Sequence, residues 1–374
     1  MMKKILITGA HFTPAQAVIE ELKKEPQTEI VYIGRKSTRE GDRTSSVESQ
    51  VLPSLGVKFI PIIAGRLQRS FTIHTIPSLL KIPVGFVQSF FFLLKEKPDV
   101  VLSFGGYVAV PVVVSSWLLS IPVIIHEQTL IPGLANNVSS WFADKIAVSF
   151  PKSGFNGKKV VLTGNPIRKE MISENQKLVN TDIKEIISFA KKQRLPIITV
   201  VGGNQGSHVI NKSVEDALKE LTEIGCVVHQ TGDSKFGDFE RLEEKRKLLS
   251  NTKHYLARKW INASEMGWLF DNSTLVVCRA GMNTLLESCY FEKPLLIIPL
   301  PVKEQKLNAK YFQKIGNAMV LWQENLDETN LLENIKEMLA KIEGLREGAK
   351  KAKEIVIPDA AKRVALETLL LAEK

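Results

Sequence analysis

Cysteine is scarce in this chain of 374 residues: Cys226, Cys278 and Cys289 stand apart and form no Cys-x-x-Cys pair. The first two fall in or beside apolar runs, so the expectation is core thiols in a reducing compartment. Aromatic residues are only 7%, and no recognition-helix, zinc-finger or RNA-binding-strand signature occurs. The net charge of +10 and pI near 9.3 therefore find no nucleic-acid motif to serve. An anionic membrane surface and a generally basic exterior are the readings left. Gly-x-Gly-x-x-Gly is absent, no Gly-Lys-Ser/Thr follows a glycine turn, and His-Glu-x-x-His fails at Leu130. These absences remove the dinucleotide fingerprint, the P-loop and the zinc-protease helix. No low-complexity tract or short repeat occurs, and Lys3-Lys4 runs straight into Ile5-Leu6-Ile7 without a leader, so a cytoplasmic location is expected. Val100 to Ile125 lacks any charge and imitates a membrane span, but Gly105-Gly106, Pro111 and Pro122 interrupt it. It reads as strand Val100 to Phe104, helix Val108 to Leu119 and strand Pro122 to Ile125, a buried βαβ unit.

What is present is one device used three times: a buried apolar strand, a glycine-bearing turn and a helix start. Ile5 to Thr8 leads through Gly9-Ala10-His11 to a helix over Pro14 to Lys24. Pro196 to Val201 leads through Gly202-Gly203-Asn204-Gln205-Gly206-Ser207 to a helix over His208 to Leu221. Thr274 to Cys278 leads through Ala280-Gly281 to a helix over Met282 to Tyr290. First-turn N–H groups have no partner within a helix and the dipole favours negative charge, so each device is an anion site. Glu287, in the second turn of the third helix, is placed to accept two hydrogen bonds from a ribose diol, or is merely solvated. Gln305 and Asn308, after strand Leu295 to Pro299, carry amides that suit sugar hydroxyls and an acetamido group. His11 is either a general base near neutral pH or a histidine that packs at its turn. His126-Glu127-Gln128 ends another strand, as ligand contacts or as a bracing network. Arg168 follows the Asn165-Pro166 turn at a credible linker, where a fixed guanidinium suits a diphosphate.

Between Arg66 and Lys97 apolar residues dominate, among them Phe71, Ile76, Leu79, Phe86, Phe90 and Phe91, broken by Pro77 and Pro83 and framed by basic side chains. Two prolines, His74 and Lys81 rule out a clean spanning helix, and the pattern fits a segment lying in a membrane interface or a helix packed on the sheet. Strands Ile30 to Gly34 and Val227 to Thr231, helices Asp238 to Leu249 and Met266 to Phe270, and a closing helix over Asp359 to Leu371 complete an α/β chain of two doubly wound parallel sheets. The expected domains are 1–165, 166–355 and a C-terminal helix, 356–374, free to pack back on the first.

Seven strings, in order and spacing, resemble the MurG family of peripheral-membrane N-acetylglucosaminyltransferases. They are Gly9 to Ala15, Ser103 to Tyr107, Ile121 to Gln128, Thr163 to Arg168, Gly202 to Ser207, Cys278 to Glu287 and Gln305 to Ala309. The resemblance implies a GT-B fold, two Rossmann-like domains facing a cleft. It implies inverting, metal-independent transfer of GlcNAc from UDP-GlcNAc to the C4 hydroxyl of the MurNAc of lipid I, forming lipid II with no cofactor. No Asp-x-Asp occurs for a metal clamp, so helix N-termini and Arg168 would stabilise the departing UDP. By motif position the donor would meet Asn204, Gln205, Ser207, Ile261, Ala263, Gly281, Met282, Asn283, Thr284, Leu285, Glu287 and Gln305. The acceptor would meet Gly9, Ala10, Gly105, Gly106, Tyr107, His126, Gln128 and Thr129, with His11 or Glu127 as the base. Implied partners are UDP-GlcNAc, undecaprenyl-linked lipid I, the anionic cytoplasmic face of the cell membrane and other cell-wall synthesis proteins. The chain departs from the family in its short Gly9-Ala10-His11 loop, in Thr129, and in Glu304 before Gln305. Another GT-B transferase with a different lipid acceptor and a non-catalytic sugar-nucleotide or lipid binder are the rival readings.

Overall fold

The computed structural model describes residues 2–36, 46–65, 75–172, 180–203 and 205–373, without the side chains of 75–80. Two compact units result, one of Met1–Arg168 with Ile357–Lys374 and one of Lys169–Val356.

The first unit alternates strands and helices: β1 (Lys3–Thr8), α1 (Phe12–Leu22), β2 (Thr28–Gly34), α2 (Val47–Ser54), β3 (Lys58–Pro61), α3 (Thr75–Glu96), β4 (Val100–Ser103), α4 (Ala109–Leu118), β5 (Val123–Glu127), α5 (Leu134–Ser139), β6 (Lys145–Val148) and β7 (Val160–Leu162). The second holds α6 (Lys169–Ile172), α7 (Thr181–Gln193), β8 (Ile197–Val201), α8 (His208–Asp216), α9 (Leu218–Ile224), β9 (Cys226–Gln230), α10 (Asp238–Lys247), β10 (Tyr255–Arg258), α11 (Ala263–Asn272), β11 (Leu275–Cys278), α12 (Met282–Tyr290), β12 (Leu295–Ile297), α13 (Lys303–Ile315), β13 (Ala318–Val320), α14 (Glu328–Ala340) and α15 (Ile342–Lys353). The last helix, α16 (Ala360–Leu371), returns to the first unit, where Val364, Ala365 and Leu371 join the core with Ile5, Ile7 and Val18.

Every strand pair is parallel, in the order β3-β2-β1-β4-β5-β6-β7 and β10-β9-β8-β11-β12-β13. The central strands are apolar throughout because helices cover both faces; Ile5, Leu6 and Ile7 are all fully buried. Each such side chain contributes about 1.5–3 kcal/mol by leaving water. Strand order reverses once in each sheet, between β1 and β4 and between β8 and β11. Open α/β sheets bind ligands at the carboxyl ends of the strands beside such a switch point. Both switch points carry the glycine turns singled out in the sequence.

Helix α3 is longer than the sequence suggests, running unbroken past Pro83. Pro77 falls in the first turn, where a missing N–H costs nothing, and Pro83 removes only one ladder bond. Among the described residues no helix is long and apolar enough to cross a membrane. Cys226, Cys278 and Cys289 are free and buried.

Candidate active site

At the first switch point, Thr8 of β1 lies opposite Ser103 of β4, and the two following loops touch. The Ala10 N–H donates to Gly105 O at 2.9 Å. Gly106 has φ +82°, and a Cβ there would stand 2.5 Å from Ala10 Cβ. The short Gly9-Ala10-His11 loop is thus held by direct packing on the Gly105-Gly106 turn, with Tyr107 half-buried beside it. His11 is exposed, and its Nδ1 lies 2.7 Å from Phe104 O. A carbonyl only accepts, so Nδ1 carries the proton and a neutral ring keeps its lone pair on Nε2. That is the state a general base needs.

Glu127, at the end of β5, has a different environment. Only 3% exposed, it accepts from the Thr129 N–H at 2.9 Å, Asn136 Nδ2 at 2.8 Å and the Gly133 N–H at 3.3 Å. The Thr129 hydroxyl lies 2.7 Å from both Glu127 Oε1 and Ile131 O. Its oxygens are engaged by donors from the β5–α5 loop, which makes it a brace for that loop. His126 is 2% exposed, its Nε2 donates to Gly164 O at 3.0 Å, and burial pushes its pKa down to about 4. It is a neutral, buried imidazole held against the turn after β7. Buried Gln128 and Asn136 each hold a side-chain oxygen with no protein partner, an unmet acceptor beside the same loops.

At the second switch point, Val201 of β8 lies opposite Cys278 of β11. Gly206 has φ +74°, and a Cβ there would overlap Thr231 O, so the loop after β8 lies tight against the one after β9. Gln205 is exposed on this turn. The Ser207 hydroxyl caps α8 by accepting from the Ile210 N–H at 3.5 Å. It also accepts from Arg279 Nε at 3.1 Å and Nη2 at 2.7 Å, which leaves its own proton to offer a ligand. Arg279 is a residue the sequence reading quoted but gave no role. Its Nη1 donates to Ile298 O at 3.0 Å, and burial pushes its pKa down to about 10, within its charged range at neutral pH. Among the described residues no carboxylate pairs with it, so a cation sits unneutralised behind both glycine turns. A full charge immediately after a buried strand was the signal that could have found it.

Gly281 is the N-cap of α12, with open space where a Cβ would stand. Met282 and Leu285 point into the core, so the first turn offers its backbone, flanked by half-buried Asn283 and Thr284. Glu287 is buried in the second turn. Gln305 Oε1 accepts from the Leu300 N–H at 2.9 Å, which fixes that side chain beside the β12–α13 loop. Asn308 proves to be a brace: buried, it donates to Ala280 O at 3.0 Å and holds the Ala280-Gly281 turn. The Ile261 N–H goes to Gln230 Oε1 at 3.0 Å, and Ala263 opens α11 behind the Asn262–Glu265 capping box. Arg168 is the last residue of the first unit before α6, half-buried. Asn204 and Phe71 lie outside the described residues, as do the side chains of Ile76 and Leu79.

On the outside of the first unit, helix phase turns Phe86 and Phe90 partly inward and leaves Val84, Val87, Phe91 and Leu94 exposed, at a spacing that makes one stripe. Neighbouring α4 adds Trp117 (53% exposed) and Leu118, and Leu134 and Trp141 (79% exposed) stand at the two ends of α5. Trp117 escaped the sequence reading because it lies in a helix assigned to the core, and Trp141 because no element was read around it.

Comparison with known proteins follows these two units. Residues 8–148 match the glycosyltransferase family 28 N-terminal domain, and residues 197–364 its C-terminal domain. The chain is 35% identical over 347 residues to the UDP-N-acetylglucosamine–N-acetylmuramyl-(pentapeptide) pyrophosphoryl-undecaprenol N-acetylglucosamine transferase of Clostridium kluyveri, covering 90% of this chain and 91% of that protein. Acinetobacter baumannii MurG superposes with a TM-score of 0.72 at 24% identity, over 98% of this chain and 99% of that one. UDP-GlcNAc 2-epimerase from Neisseria meningitidis shares the fold, with a TM-score of 0.65 at 17% identity over 99% and 100% of the two chains. Fold alone does not separate transferase from epimerase; the sequence relatives do. The chain is a glycosyltransferase of GT-B fold and belongs to family 28, in its MurG family of N-acetylglucosaminyltransferases.

Proposed function

We propose that this enzyme transfers GlcNAc from UDP-GlcNAc to the C4 hydroxyl of the MurNAc of undecaprenyl-linked lipid I, giving lipid II and UDP. The observation that carries the reading is a likeness extending over nearly the whole chain, with the two family-28 domain matches spanning both switch points. In the first unit, His11 Nε2 takes the proton of the attacking hydroxyl, and Glu127 positions the β5–α5 loop against which the acceptor rests. In the second, the glycine turn and first turn of α12 receive the diphosphate, Glu287 accepts from the ribose diol, and Gln305 meets the sugar. The hydroxyl attacks the anomeric carbon as the bond to UDP breaks, so configuration inverts in a single displacement. Negative charge developing on the UDP oxygens meets N–H groups and Arg279, a preorganised positive field that makes no demand for a metal.

The apolar stripe of α3 with Trp117 and Trp141, beside Lys95 and Lys97, is the surface by which we place the protein on the anionic cytoplasmic face of the cell membrane. The lipid-borne acceptor is found there. Mass spectrometry of a reaction with a soluble lipid I analogue tests the function: the acceptor gains the mass of one N-acetylhexosamine residue. Free GlcNAc or its 2-epimer with an unchanged acceptor would contradict it.

A further inference from the structure

A cavity of about 670 Å³ opens in the second unit, its charged wall at the amino-terminal edge of the sheet, opposite the strand ends that carry the glycine turns. Its walls come from Met171 and Ile172 of α6, one face of α11 from Ser264 to Asp271, the end of α12, the turn leading into β12, and one face of α15. Nothing in the transferase chemistry uses this edge. Three rings line it, Trp268, Tyr290 and Phe291, the last two edge-to-face with centroids 5.1 Å apart.

Lys293, in the turn before β12, runs along the wall and donates its Nζ to Asp271 O at 2.8 Å. Burial lowers its pKa and Arg346 and Lys353 push the same way, against the raising effect of Asp271 and Glu292. Arg346, Lys350 and Lys353 recur at helical spacing on α15, so one helix face delivers three cations to the rim. Four cations and two carboxylates thus line the cavity. Glu292 is engaged by Lys353 at 2.6 Å, whereas Arg346 and Lys350 pair only with exposed Glu343 and Glu347 on their own helix, each at 2.7 Å. Exposed pairs of that kind are weak and exchange readily for a better anion. Cations convergent on a ring-lined hollow of ligand size match a flat, phosphorylated small molecule, the rings stacking on the base and the cations meeting the phosphates.

We propose that this cavity is a second ligand site, for a molecule of the nucleoside-phosphate class, separate from the donor site at the opposite edge of the same sheet. The probe is ADP, titrated calorimetrically into the full-length protein already saturated with UDP, so that the donor site is filled. One equivalent of ADP should bind. Exposed Arg346→Glu should weaken it by about 10-fold or more, and Lys293→Met likewise, both with unchanged UDP affinity as the measure of intact folding. Glu287→Ala should leave ADP binding unaltered. Absence of saturable ADP binding at millimolar concentration overturns the proposal, as does binding that neither cavity variant weakens. Inorganic pyrophosphate binding as tightly as ADP overturns the nucleoside part of it.

Discussion

His11 follows β1 and Glu127 ends β5 at the same edge of one sheet, yet their surroundings divide the work between them. The histidine is exposed and its Nδ1 is held by Phe104 O, which directs the lone pair outward. The carboxylate is enclosed by donors from Thr129, Gly133 and Asn136. His11→Ala should therefore lower kcat by about 10²- to 10⁴-fold with UDP affinity and melting temperature retained. Glu127→Gln turns an amide toward those donors and should cost about 1–3 kcal/mol of stability, visible in thermal unfolding of the variant. Near-normal turnover in His11→Ala, with an inactive but fully stable Glu127→Gln, would reverse the two roles. Both residues were legible in the sequence as candidates, because polar side chains at the end of an apolar strand stand out. Their assignment was not: it depends on Phe104, ninety-three positions from His11, and on donors two to nine positions from Glu127 that look like ordinary loop. Arg279 escaped for a related reason: nothing in a linear string says that Ser207, seventy-two residues earlier, receives its guanidinium.

Among elements, glycine turns were the most readable, because a strand, a turn and a helix start have sharp local signatures. β3, β6, β7, β10 and β13 were not read: each is three or four residues long. Such short runs carry too few alternations to separate them from loops, and only pairing with a neighbour makes them strands. Helix α3 shows the reverse limit, since the sequence located its apolar character but not the phase that decides which residues face outward. The outer stripe gives a prediction at this scale. Phe91→Ser combined with Trp117→Ser should release the folded protein from vesicles rich in anionic lipid, measured by co-sedimentation, with activity on a soluble acceptor retained. Undiminished sedimentation would return these side chains to a role within the fold.

The molecule as a whole is basic and stands on two sheets, each with a buried neutral histidine. Burial lowers His126 to about 4 and His229 to about 3, from an ordinary 6.5. Between those values the unfolded chain binds more protons than the folded one, so the stability from keeping the rings neutral is complete above about pH 6.5 and declines as pH falls toward 4 and 3. Asp238, held at about 2 by bonds that outweigh its burial, adds a loss of the same sign at lower pH. The melting temperature should fall steadily from about pH 7 to about pH 4.5; a flat profile would mean that neither imidazole is buried neutral. The claim on which everything else rests is acceptor-dependent chemistry, and UDP release from UDP-GlcNAc in EDTA, with and without a lipid I analogue, tests it most directly. The account predicts UDP release that requires the analogue and survives chelation. Release indifferent to the analogue, or abolished by EDTA, would contradict it.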